Sequence, residues 1–183
     1  MTFLIDSCVF FNNLNEATKI IEVNENSKEQ IKAISEVILN ELQQPLNAKF
    51  DATNLDTMIS RFINQKVFTL IDTNSNQKYK DNLSNIRKRY YRWMTDPEYL
   101  NMLQAKGILT VEERKSKGFK YKDLGECSLI AIALTDIDNY IIVSNDKGKV
   151  YKHPHTNIFK EFPNVKVMTF IDWIDFLDKN KKF

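Results

Sequence analysis

The chain has 183 residues, of which 43% are hydrophobic and 27% are charged, and its formal net charge is +2. This length and composition are typical of a single folded domain and exclude a chain that is disordered throughout. No apolar run approaches the roughly 18 residues of a membrane helix, and two cysteines are too few for a disulfide framework. We therefore expect a cytoplasmic protein with reduced thiols and no place in a membrane.

Apolar runs and helical periodicity predict strands and helices that alternate along the chain. Short apolar runs predict buried strands at Thr2–Ile5, Ile141–Asp146 and Val165–Phe170. Apolar residues at helical spacing predict helices at Leu14–Val23 and Glu29–Leu42. The apolar stretch Asp123–Asp136 predicts a buried helix, and Trp173–Leu177 predicts the start of a closing helix. The run Val67–Ile71 fits either a fourth strand or the end of a helix. The alternation predicts an α/β domain with a mainly parallel sheet.

The segment from about residue 46 to residue 122 is mostly helical in pattern and carries the positive charge. Between Asn76 and Lys122, twelve Lys or Arg residues stand against five Asp or Glu residues, so the rest of the chain is acidic. Basic and aromatic residues alternate there, and such surfaces bind phosphates and stack on unpaired bases. We predict contacts with nucleic acid, above all single-stranded or looped RNA, from Arg87, Lys88, Arg89, Arg92, Lys115, Lys117 and Lys120. The alternative is a solvated amphipathic helix with Tyr90 and Trp93 packed inward.

Two of the predicted strands end at an aspartate, Asp6 in the first case and Asp146 in the second. Ligands gather at the carboxyl ends of parallel strands, so the two carboxylates are expected to share one cleft. Either residue alone has another explanation, because an acid after a strand often caps the following helix.

Glu41 lies on the apolar side of its predicted helix. At about 100° per residue, a helix over Glu29–Leu42 places Glu41 between Val37 and Ile34, whereas Glu36 faces the opposite side. A carboxylate directed at a core is unfavourable unless it is paired or binds a metal. The pattern favours a site residue, with a frayed helix end or a Lys or Arg partner as the alternatives.

Glu126 lies at the start of a helix that has no charged residue between Leu129 and Leu134. Asp123 and Glu126 have the spacing of a capping box, in which the glutamate folds back onto the amide of the N-cap residue. A helix so apolar is expected to be central, with its first turn near the loops that follow the strands. The local sequence leaves both roles open, cap and metal ligand.

Four acids that converge on one point repel one another and raise one another's pKa values. A divalent cation relieves this repulsion, and hard oxygen ligands favour Mg²⁺ or Mn²⁺ over zinc. Such an ion activates a water molecule and stabilises charge on a phosphate, which is the chemistry of phosphodiester hydrolysis.

Five segments resemble, in their order and character, the PIN-domain family, best known from the toxin ribonucleases of bacterial toxin–antitoxin pairs. These segments are LIDSCVFFNNL, SEVILNEL, GECSLIAIAL, IIVSNDKG and VKVMTFIDWIDFL. The stretch from about Leu46 to Lys122 is longer than in the compact toxin members and has no counterpart in this resemblance.

The resemblance implies a three-layer α/β/α sandwich and an endonuclease, most simply a ribonuclease, that depends on Mg²⁺ or Mn²⁺. It places Asp6, Glu41, Glu126 and Asp146 in the family's acidic metal-binding quartet, with Ser144 as a hydrogen-bonding partner beside it. It also implies an antitoxin protein as a partner, and a homodimer. We interpret residues 1–183 as a single PIN-like domain with a basic helical insertion at about 46–122.

Other interpretations stay open. A phosphotransferase of the haloacid dehalogenase type needs a second acid two residues after Asp6, where this chain has Cys8. A non-catalytic PIN-like module that binds RNA or protein, and a DNA-directed PIN-like nuclease, are the remaining alternatives. Asp172 is the reserve metal ligand, although acids also favour the first turn of a helix. His153 and His155 are expected to contact phosphate or to lie in an exposed loop.

Overall fold

Five short strands form one sheet, described here in a computed structural model that covers residues 1–12, 31–43, 57 and 60–179. The strands of this sheet are β1 Thr2–Ile5, β2 Ile31–Ser35, β3 Thr69–Ile71, β4 Tyr140–Val143 and β7 Lys166–Met168. Their spatial order is β3-β2-β1-β4-β7, and every neighbouring pair is parallel. The predicted mainly parallel sheet is confirmed.

Helices cover both faces of this sheet and complete an α/β/α sandwich. They are α1 Ser7–Asn12, α2 Glu36–Gln43, α3 Gln77–Tyr90, α4 Pro97–Ala105, α5 Val111–Lys115, α6 Leu124–Ala133 and α7 Phe170–Lys179. Residues 60–64 are also helical. Two short 3-10 helices, Arg92–Thr95 and Phe119–Tyr121, lie between the longer helices. A separate antiparallel hairpin consists of β5 Lys149–Val150 and β6 His153–Asn157.

The predicted helix over Glu29–Leu42 is wrong in its first half. Residues Ile31–Ser35 form β2, which pairs with β1 on one side and β3 on the other. Apolar β-branched residues there fit a strand buried between two neighbours, and this pairing overrides the helical spacing. The helix begins only after Ser35, whose hydroxyl accepts a hydrogen bond from the backbone N–H of Ile38 at 3.2 Å.

The alternatives for Val67–Ile71 are resolved in favour of a strand, because Thr69–Ile71 form β3. Val67 and Phe68 are buried in the turn before β3. The predicted helix at Leu14–Val23 lies outside the described residues, as do residues 44–56 and 58–59.

Helix α6 is the centre of the hydrophobic core. Every residue from Cys127 to Ala133 is buried, so the first turn is its only part that reaches a less enclosed region. This burial explains why the sequence is apolar all round the helix. The first turn of α6 carries Glu126, and its position therefore follows from the packing of the whole helix. No helix in the described part of the chain is long and apolar enough to cross a membrane.

Candidate active site

Asp6 directly follows β1, and its side chain is 2% exposed. Its Oδ2 accepts hydrogen bonds from the Ser144 hydroxyl at 2.5 Å and from the Cys8 thiol at 3.1 Å. The Ser7 hydroxyl donates to Oδ1 at 3.4 Å. Burial raises the pKa of Asp6 and repulsion by Asp146 adds to the increase, while the hydrogen bonds oppose it. The carboxylate is therefore held in place, yet it lacks a balancing positive charge among these contacts.

Ser144 joins the carboxyl ends of β1 and β4. Its hydroxyl donates to Asp6 and accepts a hydrogen bond from the backbone N–H of Asp146 at 3.0 Å. Asp146 is exposed, and its Oδ1 accepts from the backbone N–H of Gly148 at 2.6 Å. Gly148 has φ of 64°, a conformation that favours glycine. The Ser144 hydroxyl thus links the Asp6 carboxylate to the backbone of Asp146, whose side chain is open to solvent.

Glu41 reaches the same region from α2. Its Oε2 accepts a hydrogen bond from the Ser7 hydroxyl at 2.9 Å, and the backbone N–H of Gly125 also donates to its carboxylate. A Cβ at position 125 would lie 2.7 Å from both carboxylate oxygens, so glycine permits this close approach. Burial raises the pKa of Glu41 to about 7, and repulsion from Asp6 contributes.

The helix on which Glu41 lies differs from the predicted one, because Ile34 belongs to β2. On α2, however, Glu41 is three residues after Ile38 and adjacent to Leu42, both of which are buried. Glu41 therefore lies on the inward side of α2, as predicted, although its neighbours there are Ile38 and Leu42 and no longer include Ile34.

Glu126 lies in the first turn of α6, and its carboxylate accepts a hydrogen bond from its own backbone N–H. Burial raises the pKa of Glu126 well above its ordinary value, and repulsion from Asp6 and Glu41 adds to the increase. The capping-box alternative is wrong: Asp123, the N-cap residue, has φ of 55° and makes no side-chain cap hydrogen bond.

The four predicted acids therefore act on one another electrostatically, with Asp6 as the common partner. In the part of the chain that the structure describes, no group of three or more His, Cys, Asp or Glu side chains is already arranged to hold a metal ion. The donor chemistry does fit Mg²⁺ or Mn²⁺, because the set consists of carboxylate oxygens whose mutual repulsion a divalent cation would relieve.

Sequence reasoning did not identify Ser7, Cys8, Asp123 or Gly125 as parts of this region. Ser7 and Cys8 immediately follow Asp6, and this proximity was the only signal available for them. Gly125 directly precedes Glu126, but its contact with Glu41 joins residues far apart in sequence. Such a contact depends on how α2 and α6 pack, which the local pattern does not determine.

Arg87 has a structural role that the sequence analysis did not predict. Its guanidinium donates to the carbonyl oxygens of Lys122 at 2.7 Å and Lys120 at 2.9 Å, and it lies 4.1 Å from the centre of the Tyr91 ring. These contacts engage both terminal nitrogens of the half-buried guanidinium, and the contact of Arg87 with nucleic acid stays a prediction. The other six predicted residues are exposed: Lys88, Arg89, Arg92, Lys115, Lys117 and Lys120.

Aromatic residues of the basic segment mostly pack inward, as the alternative interpretation held. Tyr90 donates its hydroxyl to Glu161 at 2.9 Å. Trp93 is half-buried in a cluster of aromatic rings whose other members are Tyr99, Phe119, Tyr151 and His153. Tyr121, in contrast, is 54% exposed, with Lys120 Nζ 4.8 Å from its ring centre.

The histidines and Asp172 take ordinary structural places. His153 is not in an exposed loop, because it belongs to β6 and stacks on Tyr99 with ring centres 5.8 Å apart. His155 is exposed on the same strand. Asp172 lies in the first turn of α7 and accepts a hydrogen bond from the Thr169 hydroxyl at 2.6 Å, which matches the predicted helix-terminal role.

No family model matches the chain, and no curated protein matches it. Solved structures do resemble it. One is the structure of VapBC2 from Rickettsia felis bound to a DNA fragment from their promoter, with a TM-score of 0.50 and 17% identity, covering 93% of this chain and 99% of that chain. Another is VapBC-1 from nontypeable Haemophilus influenzae, with a TM-score of 0.47 and 9% identity over the same shares. The second likeness is weaker and adds nothing to the first.

At this level of identity the likeness to VapBC2 concerns the fold alone. Together with the parallel sheet and its covering helices, it shows that the chain has a PIN-like α/β/α fold. The predicted fold class is therefore confirmed.

Proposed function

We propose that this chain is a nuclease that requires Mg²⁺ or Mn²⁺ and cleaves single-stranded or looped RNA internally. One observation carries the proposal. Asp6, Glu41 and Glu126 come from separate segments, yet Asp6 is buried, the two glutamates are partly buried, and burial raises the pKa of all three. Repulsion from Asp6 adds to the increase for both glutamates, and repulsion from Asp146 adds to it for Asp6. Such an arrangement is costly for folding alone, and perturbed acids of this kind cluster at functional sites.

The metal would be held by the carboxylates of Asp6, Glu126 and Asp146, with Glu41 beside them. When bound, a divalent cation supplies positive charge for a phosphodiester and for the water that attacks it. The chain itself supplies the placement of the acids. Ser144 and Cys8 orient Asp6 by donating to one of its oxygens, and Ser7 does the same for Glu41.

Exposed Asp146 marks the side from which a substrate enters, because the other predicted acids are at least partly buried. The exposed residues of the basic segment would hold the phosphates, and the exposed ring of Tyr121 would stack on an unpaired base. These two features favour a single-stranded substrate over a duplex.

A small antitoxin protein as partner, a homodimer and a cytoplasmic location are further parts of this proposal. They rest on the resemblance to toxin ribonucleases and on the likeness to VapBC2, which is a complex bound to promoter DNA. Coexpression of this chain with the protein encoded beside its gene, followed by copurification, tests the first of these.

Cleavage of RNA and single-stranded DNA of the same sequence in Mn²⁺ tests the activity. We expect internal cuts in the RNA and a loss of at least about 100-fold in rate for Asp6→Asn and Asp146→Asn. Asp138→Asn is the matched control, because Asp138 is exposed in the loop before β4, at the opposite edge of the sheet. Wild-type activity in both site variants would refute the nuclease proposal. Cleavage of DNA but not of RNA would instead support the alternative of a DNA-directed nuclease.

Binding without cleavage is the outcome that favours the non-catalytic alternative. It would be indicated by an RNA complex that forms equally well with Mn²⁺ and with a chelator, and by intact RNA after prolonged incubation.

Replacing Tyr121 tests whether its ring stacks on a base, separately from the phosphate contacts of the basic residues. We expect Tyr121→Ala to weaken RNA binding by roughly 10-fold and Tyr121→Phe to leave it unchanged.

A further inference from the structure

Asp123 has a backbone conformation that side chains rarely adopt. Its φ of 55° and ψ of 25° lie in the left-handed region, directly before α6. Aspartate tolerates this region better than most residues, yet such positions persist only where the surrounding structure enforces them. The contacts of the Asp123 carboxylate provide that enforcement.

One carboxylate oxygen of Asp123 joins three segments of the chain. Oδ2 accepts a hydrogen bond from the backbone N–H of Tyr151 at 2.6 Å and from the hydroxyl of Tyr91 at 3.0 Å. Tyr151 lies at the turn of the β5–β6 hairpin, and Tyr91 follows α3. Asp123 therefore ties the start of α6 to the hairpin and to the basic segment.

The start of α6 is also where the candidate site receives two of its groups. The backbone carbonyl of Asp123 accepts from the N–H of Cys127 at 3.2 Å, which closes the first turn. Within that turn, the N–H of Gly125 holds the Glu41 carboxylate, and Glu126 is itself a predicted ligand. A small displacement of this turn would move both groups at once.

We infer that Asp123 is a positioning residue, which fixes the first turn of α6 through its acceptor oxygen and so sets the places of Glu126 and the Gly125 amide. This inference rests on the proposed nuclease function. It assigns to Asp123 a task different from that of the four acids, because this task depends on the acceptor geometry. The negative charge of Asp123 has a separate effect, since it adds to the increase that burial causes in the pKa values of Glu41 and Glu126.

Three variants separate this role from the alternatives. Asp123→Gly accepts the same backbone conformation but removes the acceptor, whereas Asp123→Asn keeps an acceptor oxygen, loses the charge and tolerates the same φ. Tyr91→Phe removes one of the two hydrogen bonds to Asp123 Oδ2. It replaces Asp123→Gly as the test variant if Asp123→Gly does not fold. Lys66→Gly is the matched control, because Lys66 is another non-glycine residue with positive φ, 58°, in an exposed turn.

The measurements are kcat and KM on an RNA oligonucleotide with Mn²⁺, and amide hydrogen exchange of residues 124–127 without metal or substrate. We expect Asp123→Gly to lower kcat by roughly 10- to 100-fold with KM nearly unchanged, and to speed exchange in the first turn. Tyr91→Phe should show a smaller decrease in kcat. Asp123→Asn should recover most of both properties, and Lys66→Gly should match the wild type.

Two results would overturn the inference: wild-type kcat and exchange in Asp123→Gly, or an Asp123→Asn variant as impaired as Asp123→Gly. If the wild-type chain cleaves no nucleic acid, the nuclease proposal fails by itself. Hydrogen exchange in the first turn would still decide whether Asp123 positions it.

Discussion

Backbone amides and hydroxyl groups determine where each acidic side chain of the site lies. Asp6 and Glu41 are both held by donors from residues that carry no charge, including Ser7, Ser144 and Gly125. Such donors orient a carboxylate without neutralising it, so its affinity for a cation is preserved. The repulsion among the carboxylates is therefore left for another group to relieve.

Gly125 permits the close approach of α6 to Glu41, and we predict that Gly125→Ala disturbs the site. The added Cβ would lie 2.7 Å from both carboxylate oxygens, so Glu41 must move away from the backbone N–H that now holds it. We expect a loss of roughly 10-fold in nuclease rate, with the fold retained, since only the end of a side chain must shift. Gly118→Ala is the control, because nothing lies within 4 Å of a Cβ at that position. Equal rates for the two variants would contradict the contact.

The raised pKa of Glu41 predicts how stability depends on pH when no metal is present. Burial raises this pKa from 4.5 to about 7, so the folded chain binds a proton more tightly than the unfolded chain does. The resulting stabilisation is present below pH 4.5 and is lost as pH rises to about 7, with an upper limit of about 3 kcal/mol. Chemical denaturation in a chelator at pH 5 and pH 8 measures it, and Glu41→Gln should make the dependence less steep, with the remainder due to the raised pKa values of Asp6 and Glu126. An equally steep dependence in Glu41→Gln would show that other groups cause it.

Arg87 connects α3 to the segment before α6 through hydrogen bonds to backbone carbonyl groups. Arg87 on α3 donates to the carbonyl oxygens of Lys120 and Lys122, on either side of exposed Tyr121. The planar guanidinium presents one terminal nitrogen to each carbonyl group in a fixed geometry. Arg87 therefore holds the short 3-10 helix that leads into α6.

Removing this contact should destabilise the chain more than removing an exposed neighbour. Arg87→Ala is expected to lower the free energy of unfolding by roughly 1–3 kcal/mol, because two carbonyl acceptors lose their charged donor. Lys88→Ala, at the next position of the same helix and exposed, should change it by less than about 0.5 kcal/mol. Urea unfolding of both variants provides the comparison. A similar loss in both would mean that the guanidinium contributes little.

The sequence predicted elements best where a residue's neighbours in the chain are also its neighbours in space. The apolar runs of β1, β4 and α6 and the apolar residues of α7 were sufficient to identify those elements. β2 was missed because its apolar residues also fit a helix, and only pairing with β1 and β3 distinguishes the two. The sequence identified Asp6 and Asp146 because each directly follows an apolar strand. The hydrogen bonds of Ser7 to Asp6 and Glu41, and the left-handed conformation of Asp123, depend on tertiary packing and could not be predicted.

For the whole molecule, the separation of charge is the property that bears on substrate binding. The exposed Lys and Arg residues of the basic segment carry positive charge, while the candidate site and the rest of the chain are acidic. A polyanion attracted to the basic segment would be repelled by the acids unless a cation covered them. Substrate binding is therefore expected to need both low salt and a divalent metal.

Salt dependence tests the role of this basic surface. In the Asp146→Asn background, replacing Lys115, Lys117 and Lys120 together with alanine should weaken RNA binding and reduce the slope of log affinity against log salt by about 2. Lys160 and Lys166, exposed residues outside the basic segment, provide the control pair. Fluorescence anisotropy with a labelled oligonucleotide gives the slopes. An unchanged slope in the triple variant would place the phosphate contacts elsewhere.

The most direct measurement for the whole account is anomalous X-ray diffraction from crystals of this chain grown with Mn²⁺. The account predicts an anomalous peak at the carboxyl edge of the sheet, within coordination distance of Asp6, Glu126 and Asp146, and its disappearance in Asp6→Asn. A well-ordered site with no peak at millimolar Mn²⁺, or a peak held by other residues, would contradict it.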